Sequence, residues 1–251
     1  MIMVKAGGAV WTATIDAPYR RNALSRQMVA DLIATIDRFE NDTQARVLVL
    51  TGTGERAFCA GGDLKEMAAE DATRPFVPVM PALYSRLLRC RKVIVAVLNG
   101  DAVGGGLELA LCCDIVIARR GARVGLPEVR LGTVARYGAA LLARQIGPQP
   151  ALALTMLAEL RTVDDVPGIA AFVVDADELA ETVDALAERL AALAPLAVAA
   201  TKEVVRLSAE TTLLALVERP IVLAAVGSAD RRGAVRDFAG AAPPAPEKQP
   251  E

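Results

Sequence analysis

The sequence predicts an α/β fold built on a parallel sheet. Residues 47–50, 93–98 and 115–118 are continuous runs of Val, Ile, Leu and Ala, the pattern of strands buried on both faces. Between them lie segments with apolar residues at helical spacing, or glycine turns that open helices. Strands that alternate with helices assemble as parallel sheets, because each crossover needs a helix's length of chain.

In order, residues 9–15 (AVWTATI) read as a strand and Asp16-Ala17-Pro18 as its turn. A helical pattern opens at Asn22-Ala23-Leu24-Ser25, with Leu32, Ile33, Ile36 and Phe39 forming one apolar face. The buried strand 47–50 ends at Gly52 and Gly54. Residues 65–70 begin a helix after Gly61-Gly62, and 83–88 form another before strand 93–98. Gly104-Gly105-Gly106 turns the chain into a helix that runs to about Cys113, followed by strand 115–118 and a short strand at 122–124. From residue 139 Ala-rich helices dominate (139–146, 149–160, 176–194, 196–209 and 211–226), with a strand signal at 172–174. The segment 239–251 (AGAAPPAPEKQPE) is Pro-rich, has nothing to bury and is expected to be disordered.

Composition narrows the chemistry. The chain has 251 residues, long enough for one large α/β domain or two small ones. Lys and Arg number 28 against 30 Asp and Glu, a net charge of -2 that offers no footprint for nucleic acid or an acidic membrane. There are no histidines. That excludes a Ser-His-Asp triad, a Cys-His dyad and His-ligated zinc or haem. Chemistry must run on carboxylates, Lys, Tyr, Cys, backbone N–H groups or a cofactor. Cys59, Cys90, Cys112 and Cys113 form no C-x-x-C pair and read as buried free thiols. The N-terminus lacks the apolar stretch of a signal peptide, and the apolar runs are too short to span a bilayer. A soluble cytoplasmic protein with no membrane partner is the expectation.

Three glycine turns are candidates for a site. Gly52-Thr53-Gly54-Glu55-Arg56-Ala57 follows a strand and matches the dinucleotide fingerprint. That fingerprint needs a helix at its second glycine, and Cys59-Ala60-Gly61-Gly62 interrupts any such helix. A nucleotide role is therefore rejected. The second turn, F-C-A-G-G-D-L-K-E-M at residues 58–67, and the third, N-G-D-A-V-G-G-G-L-E-L at 99–109, each join a strand to a helix. Two such turns at neighbouring strand ends could aim two N–H groups at one oxygen, an oxyanion hole that needs no histidine. Taken alone, each reads first as only a tight turn. Glu108 lies in the first turn of a helix, where a capping carboxylate is also favoured, and Glu128 lies in a loop. Together they can supply a general acid and a general base.

With Arg20-Arg21-Asn22-Ala23-Leu24 and Gly125-Leu126-Pro127-Glu128 added, these motifs resemble, in order and spacing, the crotonase (enoyl-CoA hydratase/isomerase) superfamily over about residues 9–240. The resemblance implies a crotonase-like ββα spiral core at 1–138, a helical C-terminal trimerisation region at 139–240 and a disordered tail at 241–251. It implies that the N–H groups of Gly62 and Gly105 bind the thioester oxygen. Ala60 and Leu64 would meet the adenine, and Gly62, Asp63, Leu64 and Lys65 would line the coenzyme A site. Arg20, Arg21 and Ala23 would lie near its phosphates and pantetheine. Glu108 would activate water for Cβ, and Glu128 would protonate Cα. Having both glutamates favours hydration of a 2-enoyl-CoA. The alternatives are an enoyl-CoA isomerase, a cyclic dienoyl-CoA hydratase or a non-catalytic acyl-CoA-binding member. The resemblance implies no metal and no cofactor beyond the substrate's own coenzyme A, and a homotrimer or dimer of trimers. The sequence departs from the family at Ala135-Arg136-Tyr137, where the usual Pro-Gly is replaced beside the acyl group. It departs again at 161–172, a shortened stretch in which Pro167 would break a helix.

Overall fold

A computed structural model describes residues 1–68 and 79–208, with positions 220 and 224. The expected tail at 239–251 lies outside the described residues, as do the helix at 211–226 (apart from those two positions) and the end of the helix at 65–70. The chain divides into two compact units, Met1–Ala192 and Leu193–Glu251.

The first unit contains β1 (Ile2–Lys5), β2 (Val10–Ile15), α1 (Arg26–Asn41), β3 (Val47–Gly52), β4 (Ala57–Cys59), α2 (Leu64–Ala68) and α3 (Val79–Arg89). It continues with β5 (Val93–Leu98), β6 (Asp101–Val103), α4 (Gly105–Leu111), β7 (Ile115–Arg119), β8 (Arg123–Gly125), α5 (Arg136–Ile146) and α6 (Pro148–Met156). It closes with β9 (Arg161–Thr162), β10 (Phe172–Val174) and α7 (Leu179–Ala191). In the second unit the described helix is α8 (Pro195–Leu207). Helix α5 runs across the boundary expected at 138/139 and packs on α4 and α6.

Two sheets position everything else. The larger has the order β1-β2-β3-β5-β7-β10, and only β1, which the sequence reading missed, is antiparallel to its neighbour. Every residue of β5, and all of β3 but Thr51, is buried, as their unbroken apolar runs require. The smaller sheet, β4-β6-β8-β9, was not foreseen as a sheet. Its first three strands are parallel and three residues long, each following a long strand of the larger sheet. The chain thus repeats one unit: a long strand, a short strand in the second sheet, then a helix or turn.

Two asparagines hold the first of these steps. Asn22, buried and in the left-handed region at φ 57°, donates through Nδ2 to the carbonyls of Thr53 (3.0 Å) and Ala57 (2.7 Å). Asn99 accepts the Gly52 N–H at 3.0 Å and donates to the Gly54 carbonyl. Both satisfy turn groups that leave the ladder, which a buried turn requires. The Gly52–Ala57 turn therefore leads into β4 and not into a helix, in keeping with the rejected nucleotide reading.

Helix α1 begins at Ser25, whose side chain accepts the Met28 N–H. It buries Met28, Val29, Leu32, Ile36 and Phe39 against the sheet, with Phe39 tilted on Trp11 at 5.9 Å. All four cysteines are free and buried. Burial pushes the Cys59 thiol up to about 12, so it is not a thiolate nucleophile at neutral pH. Among the described residues no helix is long and apolar enough to cross a membrane.

Candidate active site

The two glycine turns meet back to back. After β4 the chain turns through Gly61 at φ +88°, and a β-carbon there would stand 3.0 Å from the Gly105 nitrogen. A β-carbon on Gly106 would lie 2.0 Å from the Cys59 carbonyl oxygen, so α4 can start against β4 only on glycine. The Gly61–Asp63 turn is held by Leu24, whose N–H donates to Gly61 at 2.7 Å and whose carbonyl accepts from Asp63 at 2.9 Å. This pairing skips the Gly62 N–H, and the Gly105 N–H opens α4, where no intrahelical acceptor exists. Among the described residues neither group is taken by an acceptor. Gly62 and Gly105 line one cavity of about 260 Å³.

Both glutamates line the same cavity. Glu108, 8% exposed, sits in the first turn of α4, and its Oε1 accepts the Gly138 N–H of α5 at 2.8 Å. Glu128 arrives from the other side. Strands β6 and β8 pair, the Gly104 N–H donates to the Gly125 carbonyl at 2.8 Å, and a 3-10 turn at Pro127–Leu131 follows. Glu128 Oε2 is buried without a hydrogen-bond partner among the described residues. Burial, with the nearby Glu108 charge adding to it, pushes the Glu128 carboxyl up to about 7. Glu128 therefore holds a proton at neutral pH far more readily than an ordinary glutamate.

Two further cavity residues were missed by the sequence reading. Tyr84, fully buried in α3, donates its hydroxyl to the Gly105 carbonyl at 2.9 Å, and Met80 lies one turn before it. Burial and the Glu108 charge hold the Tyr84 phenol well above its usual 10. The one signal available was a hydroxyl on the apolar i, i+3, i+4 face of Met80, Leu83, Tyr84 and Leu87. Tyr137 packs on Tyr84 with ring centroids 5.1 Å apart, and both Tyr137 and Arg136 line the cavity.

The residues expected near coenzyme A are not all brought together. Ala60, Gly62 and Leu64 line the cavity. Arg20, Ala23, Asp63 and Lys65 do not. Arg20 is engaged by Asp63 at 2.6 Å, and Asp63 also accepts the Lys65 N–H at 2.9 Å, so the acid organises this turn. Arg21 lines a separate polar pocket with Arg56, Arg119 and Arg123, and its carbonyl accepts the Ala60 N–H at 3.0 Å. Among the described residues no three Cys, Asp or Glu side chains are placed to share a metal ion.

Residues 5–230 match a family model described as enoyl-CoA hydratase/isomerase. The chain is 34% identical over 242 residues to the 2,3-dehydroadipyl-CoA hydratase of Escherichia coli (strain K12), covering 94% of each chain. It is 35% identical over 211 residues to the (E)-benzylidenesuccinyl-CoA hydratase of Thauera aromatica, covering 80% of each. The crystal structure of an enoyl-CoA hydratase from Bacillus anthracis superposes with a TM-score of 0.88 at 29% identity, covering 95% of each chain. The repeated strand-strand-helix unit is the crotonase-like spiral of these structures.

Proposed function

The chain belongs to the enoyl-CoA hydratase/isomerase family, and from that premise we propose that it adds water to the double bond of a 2-enoyl-CoA thioester. The observation that carries this reading is the convergence of Glu108, Glu128, Gly62 and Gly105 on one cavity. In the proposed reaction the thioester oxygen accepts from the Gly62 and Gly105 N–H groups, which stabilise the negative charge that develops on it. Glu108 takes a proton from water as its oxygen bonds to Cβ. The electron pair of the double bond moves to Cα, where Glu128 delivers its proton. The two carboxyls thus exchange protonation states, and solvent resets them. A carboxyl held near 7 suits the donor, while a carboxylate oriented by the Gly138 N–H suits the base.

The reaction as drawn uses no metal or redox cofactor. Coenzyme A would enter past Ala60 and Leu64, with the Arg20–Asp63 pair and Lys65 flanking the entrance. The test is a mass-spectrometric turnover screen over enoyl-CoA thioesters of several chain lengths and cyclic analogues. A product heavier by one water supports hydration. A product of unchanged mass indicates isomerisation, and no product with retained binding indicates a non-catalytic acyl-CoA binder.

A further inference from the structure

We infer that Arg136 selects enoyl-CoA substrates whose acyl group ends in a carboxylate, an inference that rests on the proposed acyl-CoA chemistry and names its substrate class. Arg136, an exposed residue, is the single Lys or Arg among the described residues that line the cavity, whose lining also includes Met80, Leu131, Val134 and the Tyr84–Tyr137 ring pair. Among the described residues no carboxylate pairs with its guanidinium. The Arg20 guanidinium, by contrast, is engaged by Asp63.

The local sequence makes this placement costly. Arg136 is the first residue of α5, at the positive end of the helix dipole, where cations are disfavoured. That end has no acidic residue in its first turn and no side-chain cap from Ala135. It faces the cavity, since the Gly138 N–H reaches Glu108 there. An uncapped helix end and an unpaired arginine at one wall together favour an anion, and a guanidinium binds a carboxylate through two parallel hydrogen bonds. The cavity already holds the proposed base Glu108, whose carboxylate would repel an acidic substrate. Arg136 offsets that repulsion.

The test compares carboxyl-terminated with methyl-terminated thioesters of matched length, over several lengths. Turnover is read with the 2-enoyl esters and binding by calorimetry with the saturated ones. Wild type is expected to prefer the carboxyl-terminated ester in both readouts. R136Q should lower that preference by about tenfold or more, the scale of a charge-assisted hydrogen bond, and R136K should retain part of it. The inference is overturned if R136Q weakens both esters by the same factor, or if wild type favours the methyl-terminated ester. If wild type binds the saturated carboxyl-terminated ester selectively but hydrates neither enoyl ester, the hydration reading fails while the Arg136 inference stands on binding. Binding of neither ester overturns both.

Discussion

Glu128 and Gly104 are in direct apposition: Glu128 Oε1 lies 2.9 Å from the point a β-carbon on Gly104 would occupy. Gly104 also has φ 58° and ψ −129°, a conformation that only glycine adopts at little cost. Gly104→Ala should therefore do two things. Backbone strain of about 1–3 kcal/mol should lower stability, and displacement of Glu128 should cut hydration by about 10²-fold, the lower range for loss of a general acid. Thermal melts and steady-state kinetics on the same preparation separate the two effects. A folded variant with wild-type kcat would show that Gly104 does not set the position of Glu128.

The two carboxylates reach the cavity from different elements, α4 and the turn after β8. On the proposed mechanism, Glu108→Gln and Glu128→Gln should each lose about 10²–10⁴-fold in kcat while binding a saturated acyl-CoA nearly as well as wild type. Since both act on one water and one double bond, the double variant should be little worse than the poorer single variant. Additive losses would mean that the two groups serve separate steps.

Glu128 also makes stability depend on pH. Burial pushes its carboxyl up to about 7 in the folded chain, against an ordinary glutamate's 4.5, so the folded state holds the proton more tightly. The stability this contributes is full below about 4.5 and is lost as pH rises through about 7. Glu128→Gln cannot ionise, so urea denaturation should find it gaining on wild type as pH rises across that window. Hydration by wild type should decline over the upper part of the same window, as the proton donor ionises. A stability difference that is flat with pH would exclude the raised carboxyl.

Tyr84→Phe removes the hydroxyl that donates to Gly105 and keeps the ring that packs on Tyr137. The expected loss is about 0.5–1.5 kcal/mol of stability, the net worth of one neutral hydrogen bond. Burial keeps the phenol un-ionised through neutral pH, so the variant's pH–rate profile should have the same shape as wild type's. A changed profile would give Tyr84 a part in proton transfer.

The larger sheet was legible because β3, β5 and β7 are unbroken apolar runs, and helix α1 because its apolar positions recur at helical spacing. Of the smaller sheet only the strand at 122–124, which is β8, was read, since strands of three residues are too short to show a period. β1 was missed for a similar reason, being a short and largely exposed edge strand. Within the site, the glycine turns and both glutamates stood out through their motifs. Tyr84 stands in no motif, while Arg21 stands inside one yet lines another pocket.

By itself the sequence determined the fold class, the absence of imidazole chemistry and the positions of the glycine turns, because periodicity and composition are local properties of the chain. Tertiary structure alone decided that Glu128 stands against Gly104, that the Tyr84 hydroxyl reaches Gly105, and that Arg136, itself exposed, lines the cavity. Those relationships depend on the parallel register of β4, β6 and β8 and on the packing of α3 and α5 against α4. Contacts between separate elements are set by how whole elements stack, and no local pattern in the chain encodes which side chains the stacking brings together.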